Sequence, residues 1–530
     1  MLSFAMLPGM ARAAGTGAIT VDGTVATRYD AYRLFSATVV DDADTDQKIA
    51  TDVTWANDAV CQAVLPVLHD VGLDSSASTA QEAAEWMNGD GHMTTALATK
   101  LARAICRSGV PSVALNAGTV AELPSGYWLI VADDDAIAQG EAGTAPIMAL
   151  VGGSAVTVKP KAATPKVAKH VLEDSTTAWQ KAADATVADD LYWRLSATVP
   201  AGLTAYDTYT VRFVDTMGAG LDPSKVAASM RVYVAAGADG GFDAVPTGKD
   251  GRAGTEPAKG WPAITAQCGV SVDGKTFTVR TGDLIAALGG ADAFTAGARV
   301  VAVYNAPLSS ACNHGIAKGN PNEVYLRYPR SPFADQSGDA GFTRTPSDDA
   351  CAYTWGLSLI KRSSSDDKPL AGAKLRIIDD RGRILTTDGS WSTDADACVT
   401  TGADGHVELS GVDAGVYTVE EVAAPKGYTA FEGKRTVTVT AEGLDVKQVA
   451  VAKPKVTVSA ESPLRVDTAD AGTGSIELSV LNTPSKEASR GFMPSTGDRT
   501  LVLVAVLAAI GVAVIVVALV IKRGGGRREK

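Results

Sequence analysis

Three polar residues fall in phase with apolar neighbours inside segments that read as strands. Lys361 shares the face of Leu357 and Leu359, Glu421 that of Tyr417 and Val419, and Asn482 that of Leu478 and Val480. An amine, a carboxyl and an amide are thus aimed at one core. Burial away from water lowers the pKa of an amine, making it a neutral nucleophile, and raises that of a carboxyl, which can then hold and return a proton. Asp215 raises the same question upstream, because it has the parity of Val211 and Phe213. A carboxylate on the apolar face of a strand is costly unless it is neutral or paired.

Other chemistry has little support. His69, His92, His170, His314 and His406 are scattered, with no Gly-x-Ser-x-Gly, His-Glu-x-x-His or phosphate-loop pattern around them. Asp42-Ala-Asp44-Thr-Asp46 has calcium-loop spacing but lacks the following glycine and the distal glutamate. No metal and no cofactor is expected, and an enzyme is the least favoured class. A net charge of −12 argues against a nucleic-acid partner and fits an extracellular surface.

The C-terminus sets the compartment. Met493-Pro494-Ser495-Thr496-Gly497 precedes an uncharged run from Leu501 to Ile521 and then the basic tail Lys522–Lys530. A bilayer core of about 30 Å needs roughly 20 apolar residues, so the run can cross once as a transmembrane helix. The basic side stays cytoplasmic, which places the preceding chain outside. The pentapeptide resembles the LPxTG sorting signal that sortases cleave between threonine and glycine, here Thr496 and Gly497, with Met493 for the usual leucine. Residues 1–14 read as the end of a secretory signal peptide, with Ala11-Arg12-Ala13 as a small-x-small cleavage site. No basic segment precedes them, which implies a start upstream of Met1.

Export bears on the cysteines. Cys61, Cys106, Cys268, Cys312, Cys351 and Cys398 include no CxxC pair, and an even set in an oxidising compartment points to disulfides. Pairing in sequence order, one of fifteen connectivities, would give one bridge per expected domain.

Residues 15–155 mix strand patterns with helices: Thr79 and Glu82 have capping-box spacing, and Leu97, Leu101 and Ile105 recur on one helical face. Residues 156–168 form a Pro/Lys-rich junction, extended and exposed. Residues 169–350 alternate apolar residues between Gly, Pro and Asp breaks, the pattern of a β-sandwich. Residues 351–484 repeat that pattern, and 485–492 link to the sorting signal at 493–497. The fold class expected is mostly β: tandem Ig-like sandwiches behind an N-terminal domain of mixed α and β, with the transmembrane helix at the end.

Over its mature length the chain resembles a Spa-type sortase-assembled major pilin of Gram-positive bacteria. The third domain resembles a Cna B-type domain, whose hallmark Tyr-x-Leu-x-Glu-x-x-Ala-Pro-x-Gly-Tyr stands here as Tyr417 to Tyr428 with Val419 for Leu. That resemblance implies an isopeptide bond between Lys361 and Asn482, assisted by Glu421. The middle domain resembles the fimbrial isopeptide-forming domain, with Asp215 as its carboxyl. It implies Lys169 and Asn322 as partners, with Lys166, Asn305 and Asn320 as alternatives. Val156-Thr-Val158-Lys159-Pro160-Lys161 resembles the pilin motif, which makes Lys161 the lysine that attacks the acyl-sortase, with Lys159 and Lys166 as other candidates.

The resemblance implies a structural role. Copies are joined Lys161 to Thr496 by a class C pilin sortase and anchored to peptidoglycan by a housekeeping sortase, with accessory pilins and possible host surface ligands as further partners. The rival readings are a monomeric wall-anchored adhesin and an accessory pilin.

Overall fold

The computed structural model describes residues 15–485 except 24, 46, 90, 139, 161–163, 201–202, 236–260, 335 and 450–452. Lys161, Thr496, Gly497, the signal peptide and Leu501–Ile521 lie outside the described residues. Among the described residues no helix is long and apolar enough to cross a membrane. The chain is mostly β and divides into two compact units, Met1–Thr354 with Glu442–Pro454, and Trp355–Ala441 with Lys455–Lys530.

In the first unit, the strand Gly126–Ala132 organises the N-terminal part. It pairs with Arg28–Asp41 and with Ile147–Val151 in a five-stranded sheet. Its alternate side chains fill two cores. Trp128 and Ile130 pack with Ile19, Val21 and Tyr29, while Leu129 and Val131 pack with Leu34 and the helices. A central strand covered on both faces reads as a continuous apolar run, as Trp128-Leu-Ile-Val131 does.

Three helices cover the second face: Asp58–Asp70, Ala80–Asn88 and Thr95–Arg107. The capping box forms as expected, with the Glu82 amide donating to Thr79 Oγ1 at 3.2 Å and the Thr79 amide to Glu82 Oε2 at 2.9 Å. Leu97, Leu101 and Ile105 are buried on one stripe.

The rest of the first unit is a sandwich. One sheet contains Val167–Glu173, Tyr192–Thr198 and Arg299–Asn305; the other contains Arg212–Met217, Thr276–Arg280, Asn320–Pro329 and Asp348–Tyr353. Trp193, Leu195 and Tyr304 from the first meet Phe213, Phe277 and Leu326 from the second in one core.

The second unit is also built of two sheets. Its first and last strands, Trp355–Ser363 and Ser475–Pro484, lie side by side and parallel, with Lys361 opposite Val480 and Ser363 opposite Asn482. Gly415–Ala423, which carries Glu421, belongs to the other sheet. Period-two alternation puts Leu357, Leu359, Lys361, Tyr417, Val419, Leu478 and Val480 in the interior.

The disulfides expected from the compartment are not formed in the structure. Cys61, Cys106, Cys268, Cys312, Cys351 and Cys398 are free thiols. Several are engaged locally: Cys106 Sγ faces the Tyr32 hydroxyl at 3.6 Å, Cys268 Sγ the Ile264 carbonyl at 3.3 Å, and Cys351 is buried within its strand beside the Ala352 carbonyl. Burial pushes the thiols of Cys268 and Cys351 up to about 11, which makes them poor nucleophiles for exchange.

Candidate functional site

The first and last strands of the second unit deliver Lys361 and Asn482 to the same face, two positions apart in register. Lys361 Nζ lies 2.5 Å from Asn482 Oδ1. Glu421 reaches them from the opposing sheet, its Oε1 3.0 Å from Lys361 Nζ and accepting from Asn482 Nδ2 at 2.7 Å. The side chains of Lys361 and Glu421 are fully buried, and Asn482 is 2 % exposed. The Phe431 amide holds the other carboxyl oxygen, Oε2, at 3.0 Å, and the Phe431 ring lies 5.3 Å from Lys361 Nζ. Burial lowers the lysine pKa against the opposing pull of Glu421. One carboxyl oxygen therefore touches both the amine that would attack and the nitrogen that would leave.

A second cluster occupies the sandwich of the first unit. Lys169, from Val167–Glu173, is wholly buried and ion-paired with Asp215, from Arg212–Met217 in the facing sheet. Burial brings the Lys169 amine down to about 8, despite Asp215 beside it, and raises the Asp215 carboxyl. Asp215 Oδ1 is buried without a hydrogen-bond partner, as is Asn322 Oδ1, and an orphaned buried oxygen is costly to keep charged.

Tyr304, from Arg299–Asn305, joins the cluster. Its hydroxyl accepts from Lys169 Nζ at 2.9 Å and from Asn322 Nδ2 at 2.8 Å, and donates to Asp215 Oδ2 at 3.1 Å. Asn322, from Asn320–Pro329, lies opposite Met217 on the strand beside Asp215. The rings of Trp193 and Tyr304 each lie 5.5 Å from Lys169 Nζ.

The alternatives are engaged elsewhere. Asn305 donates to Asp190 at 2.6 Å and accepts from the Leu191 amide, and Asn320 exchanges hydrogen bonds with the Asn313 backbone. Lys166 is exposed. A brace steadies the Lys169 strand from behind: Lys181 Nζ donates to the Lys169 carbonyl at 2.8 Å, and Asp348 accepts both Lys181 and the Lys169 amide.

At the junction, Val156–Val158 pairs in parallel with Thr16–Val21 and buries Val158, which leaves Lys159 exposed just beyond the strand. Asp42, in the acidic loop, spends its carboxylate on its own turn, accepting from the Asp44 amide at 3.0 Å and the Thr45 hydroxyl at 2.9 Å.

One buried carboxyl gives the first unit a pH response. Glu173 is held at about 7 by burial and by the neighbouring Asp184 carboxyl, with Ser175 donating to it at 2.6 Å. A carboxyl whose pKa rises on folding binds its proton more tightly in the native state. Stability is then full below the unfolded value near 4.5 and falls as pH rises to about 7. Calorimetric scans at pH 5 and pH 7.5 are expected to show the first-unit transition moving down in temperature at the higher pH. Glu173→Gln should remove most of that difference; an unchanged difference would assign the pH dependence to other groups.

Residues 356–454 match the SpaA prealbumin-like fold domain family, so Lys361 and Glu421 lie inside the matched stretch and Asn482 beyond it. A curated relative, the trypsin-resistant surface T6 protein of Streptococcus pyogenes serotype M6, is 28 % identical over 120 residues. That stretch is 21 % of this chain and 20 % of the relative, so the match spans about a fifth of that protein's length. Among solved structures, the T6 backbone pilin of serotype M6 S. pyogenes aligns with a TM-score of 0.49 at 15 % identity, over 90 % of this chain and 99 % of its own. The full-length major pilin SpaD of Corynebacterium diphtheriae aligns with a TM-score of 0.43 at 14 % identity, over 89 % and 98 %.

Proposed function

We propose that this chain is a structural pilin subunit, read as three tandem domains in its mature part. A class C sortase joins Thr496 of one copy to Lys161 of the next, and a housekeeping sortase attaches the finished polymer to peptidoglycan. Within each copy, Lys361 bonds to Asn482 and Lys169 to Asn322. The observation that carries this reading is the buried contact of Lys361, Glu421 and Asn482, an arrangement too costly to keep for stability alone when apolar residues of similar volume would serve. The family match over residues 356–454 supports it.

The geometry suits a self-condensation. Lys361 Nζ, held toward its neutral form by burial, adds to Asn482 Cγ. Glu421 takes one proton from Nζ and returns one to Nδ2, with which it already makes a hydrogen bond. The Cγ–Nδ2 bond breaks and ammonia leaves; amine plus primary amide become secondary amide plus ammonia, with no oxidant and no cofactor. Holding both partners in one core supplies an effective molarity worth about 7–11 kcal/mol of the barrier, which is how so unreactive an amide can be attacked. Because the linkage between copies is head-to-tail and does not close, it yields a filament.

Intact mass tests the internal bonds. Each one removes a single ammonia, about 17 Da by the stoichiometry of condensation. The reduced, unmodified chain is expected to weigh two ammonias less than its sequence, with cross-linked peptides joining Lys361 to Asn482 and Lys169 to Asn322. A mass equal to the sequence would remove both bonds and leave a monomeric wall-anchored adhesin as the better reading.

A further inference from the structure

The two clusters solve one chemical problem with different parts. In the second unit Glu421 Oε1 touches both Lys361 Nζ and Asn482 Nδ2, so a single carboxyl can carry a proton from the attacking nitrogen to the leaving one. In the first unit Asp215 Oδ2 contacts Lys169 Nζ and Tyr304, and the group that reaches Asn322 Nδ2 is the Tyr304 hydroxyl, at 2.8 Å. We propose that Tyr304 is a catalytic residue of the middle-domain condensation, relaying a proton from Asp215 to the departing amide nitrogen of Asn322. The inference rests on the reading of Lys169 and Asn322 as bond partners.

The hydroxyl has the valence for this task. A phenol oxygen accepts two hydrogen bonds and donates one, and Tyr304 uses all three, toward amine, amide and carboxyl. Its ring is fully buried, packed edge-on to Phe277 at 4.7 Å, so the oxygen is fixed rather than free to swing. Burial and the Asp215 charge raise its pKa well above the ordinary phenol value, which keeps the proton on the oxygen until a partner replaces it. Lys169 Nζ bonds to Asn322 Cγ and passes one proton to Asp215 Oδ2. Asp215 returns a proton to the Tyr304 oxygen as the Tyr304 hydroxyl gives its own to Nδ2. The Cγ–Nδ2 bond then breaks and ammonia departs, leaving Asp215 and Tyr304 in their starting states.

The test is a time course of the full-length chain from the moment of its cell-free synthesis, with each cross-linked peptide quantified by mass spectrometry. Tyr304→Phe keeps the ring and deletes the relay. The Lys169–Asn322 bond should form at least tenfold more slowly while the Lys361–Asn482 bond keeps its normal rate, an internal control. Formation of the first bond at the normal rate in a folded Tyr304→Phe chain would overturn the proposal. Should that variant fail to fold, a fluorotyrosine placed at position 304 preserves the shape and lowers the phenol pKa. A shifted pH profile for the Lys169–Asn322 bond supports the relay, and an unshifted one overturns it. Failure of the underlying reading looks different: the Lys169–Asn322 bond would be absent from the unmodified chain, or would persist in Asp215→Ala.

Discussion

Glu421→Ala is expected to cut the ammonia deficit of the chain, relative to its own sequence mass, from two to one and to lower the melting temperature of the second unit by tens of degrees. Two effects add. Without the carboxyl, no group in contact with both Lys361 Nζ and Asn482 Nδ2 can move the proton, so the bond does not form. The linked residues are 121 apart in sequence, and closing a loop of that size is worth about 5 kcal/mol if the chain-entropy account of disulfides applies. The variant also leaves the buried Lys361 amine without its carboxyl partner, a loss of up to roughly 3–5 kcal/mol when one partner of a buried pair is removed. At about 3–5 °C per kcal/mol for a domain of this size, the sum is a shift few surface changes could imitate. Glu421→Gln separates the two, since it keeps the shape and a hydrogen-bonding group but cannot carry the proton. The measurement is paired mass spectrometry and calorimetry. A Glu421→Ala chain that keeps its ammonia deficit would remove the carboxyl from the chemistry.

The second large effect concerns assembly. With a class C sortase present, the unmodified chain should appear on cells as a ladder of covalent oligomers that survives boiling in detergent, and Lys161→Ala should reduce it to monomer. An acceptor lysine must be reachable yet held near a fixed frame. The strand Val156–Val158, anchored by its pairing with Thr16–Val21, supplies such a frame just ahead of the junction. Lys159 and Lys166 are both exposed and make natural controls. Lys159→Ala and Lys166→Ala should leave the ladder intact. A ladder lost in Lys159→Ala and kept in Lys161→Ala moves the nucleophile by two residues, and one kept in all three variants leaves the filament without a lysine in this junction.

Much of the cluster in the second unit was legible because strand periodicity is exact. Counting by twos from Leu357, Tyr417 and Leu478 reaches Lys361, Glu421 and Asn482, and all three are buried where that count places them. The middle cluster was harder for a physical reason. Asn305, Asn320 and Asn322 are all buried, so neither parity nor burial separates them; what separates them is which atoms they meet. Tyr304 left no signal, since an aromatic residue in phase with Val300 and Ala302 is what any sandwich core contains. Its role appears only when the facing sheet brings Asp215 and Asn322 to its hydroxyl. The cysteines show the opposite limit. A compartment rule applies to a whole class of proteins, whereas pairing depends on where each thiol points, and in the structure Cys106 and Cys268 face local partners.

The parallel pairing of Trp355–Ser363 with Ser475–Pro484 has a consequence for protease resistance. The chain enters the second unit on one of these strands and leaves on its neighbour. Once Lys361 is joined to Asn482, a continuous covalent path runs through that bond alone, and residues 362–481 form a side loop. A protease that cuts the exposed turn at Ser364–Lys368 would open the loop without separating the ends. A nick or a replacement in that turn leaves the through-chain intact.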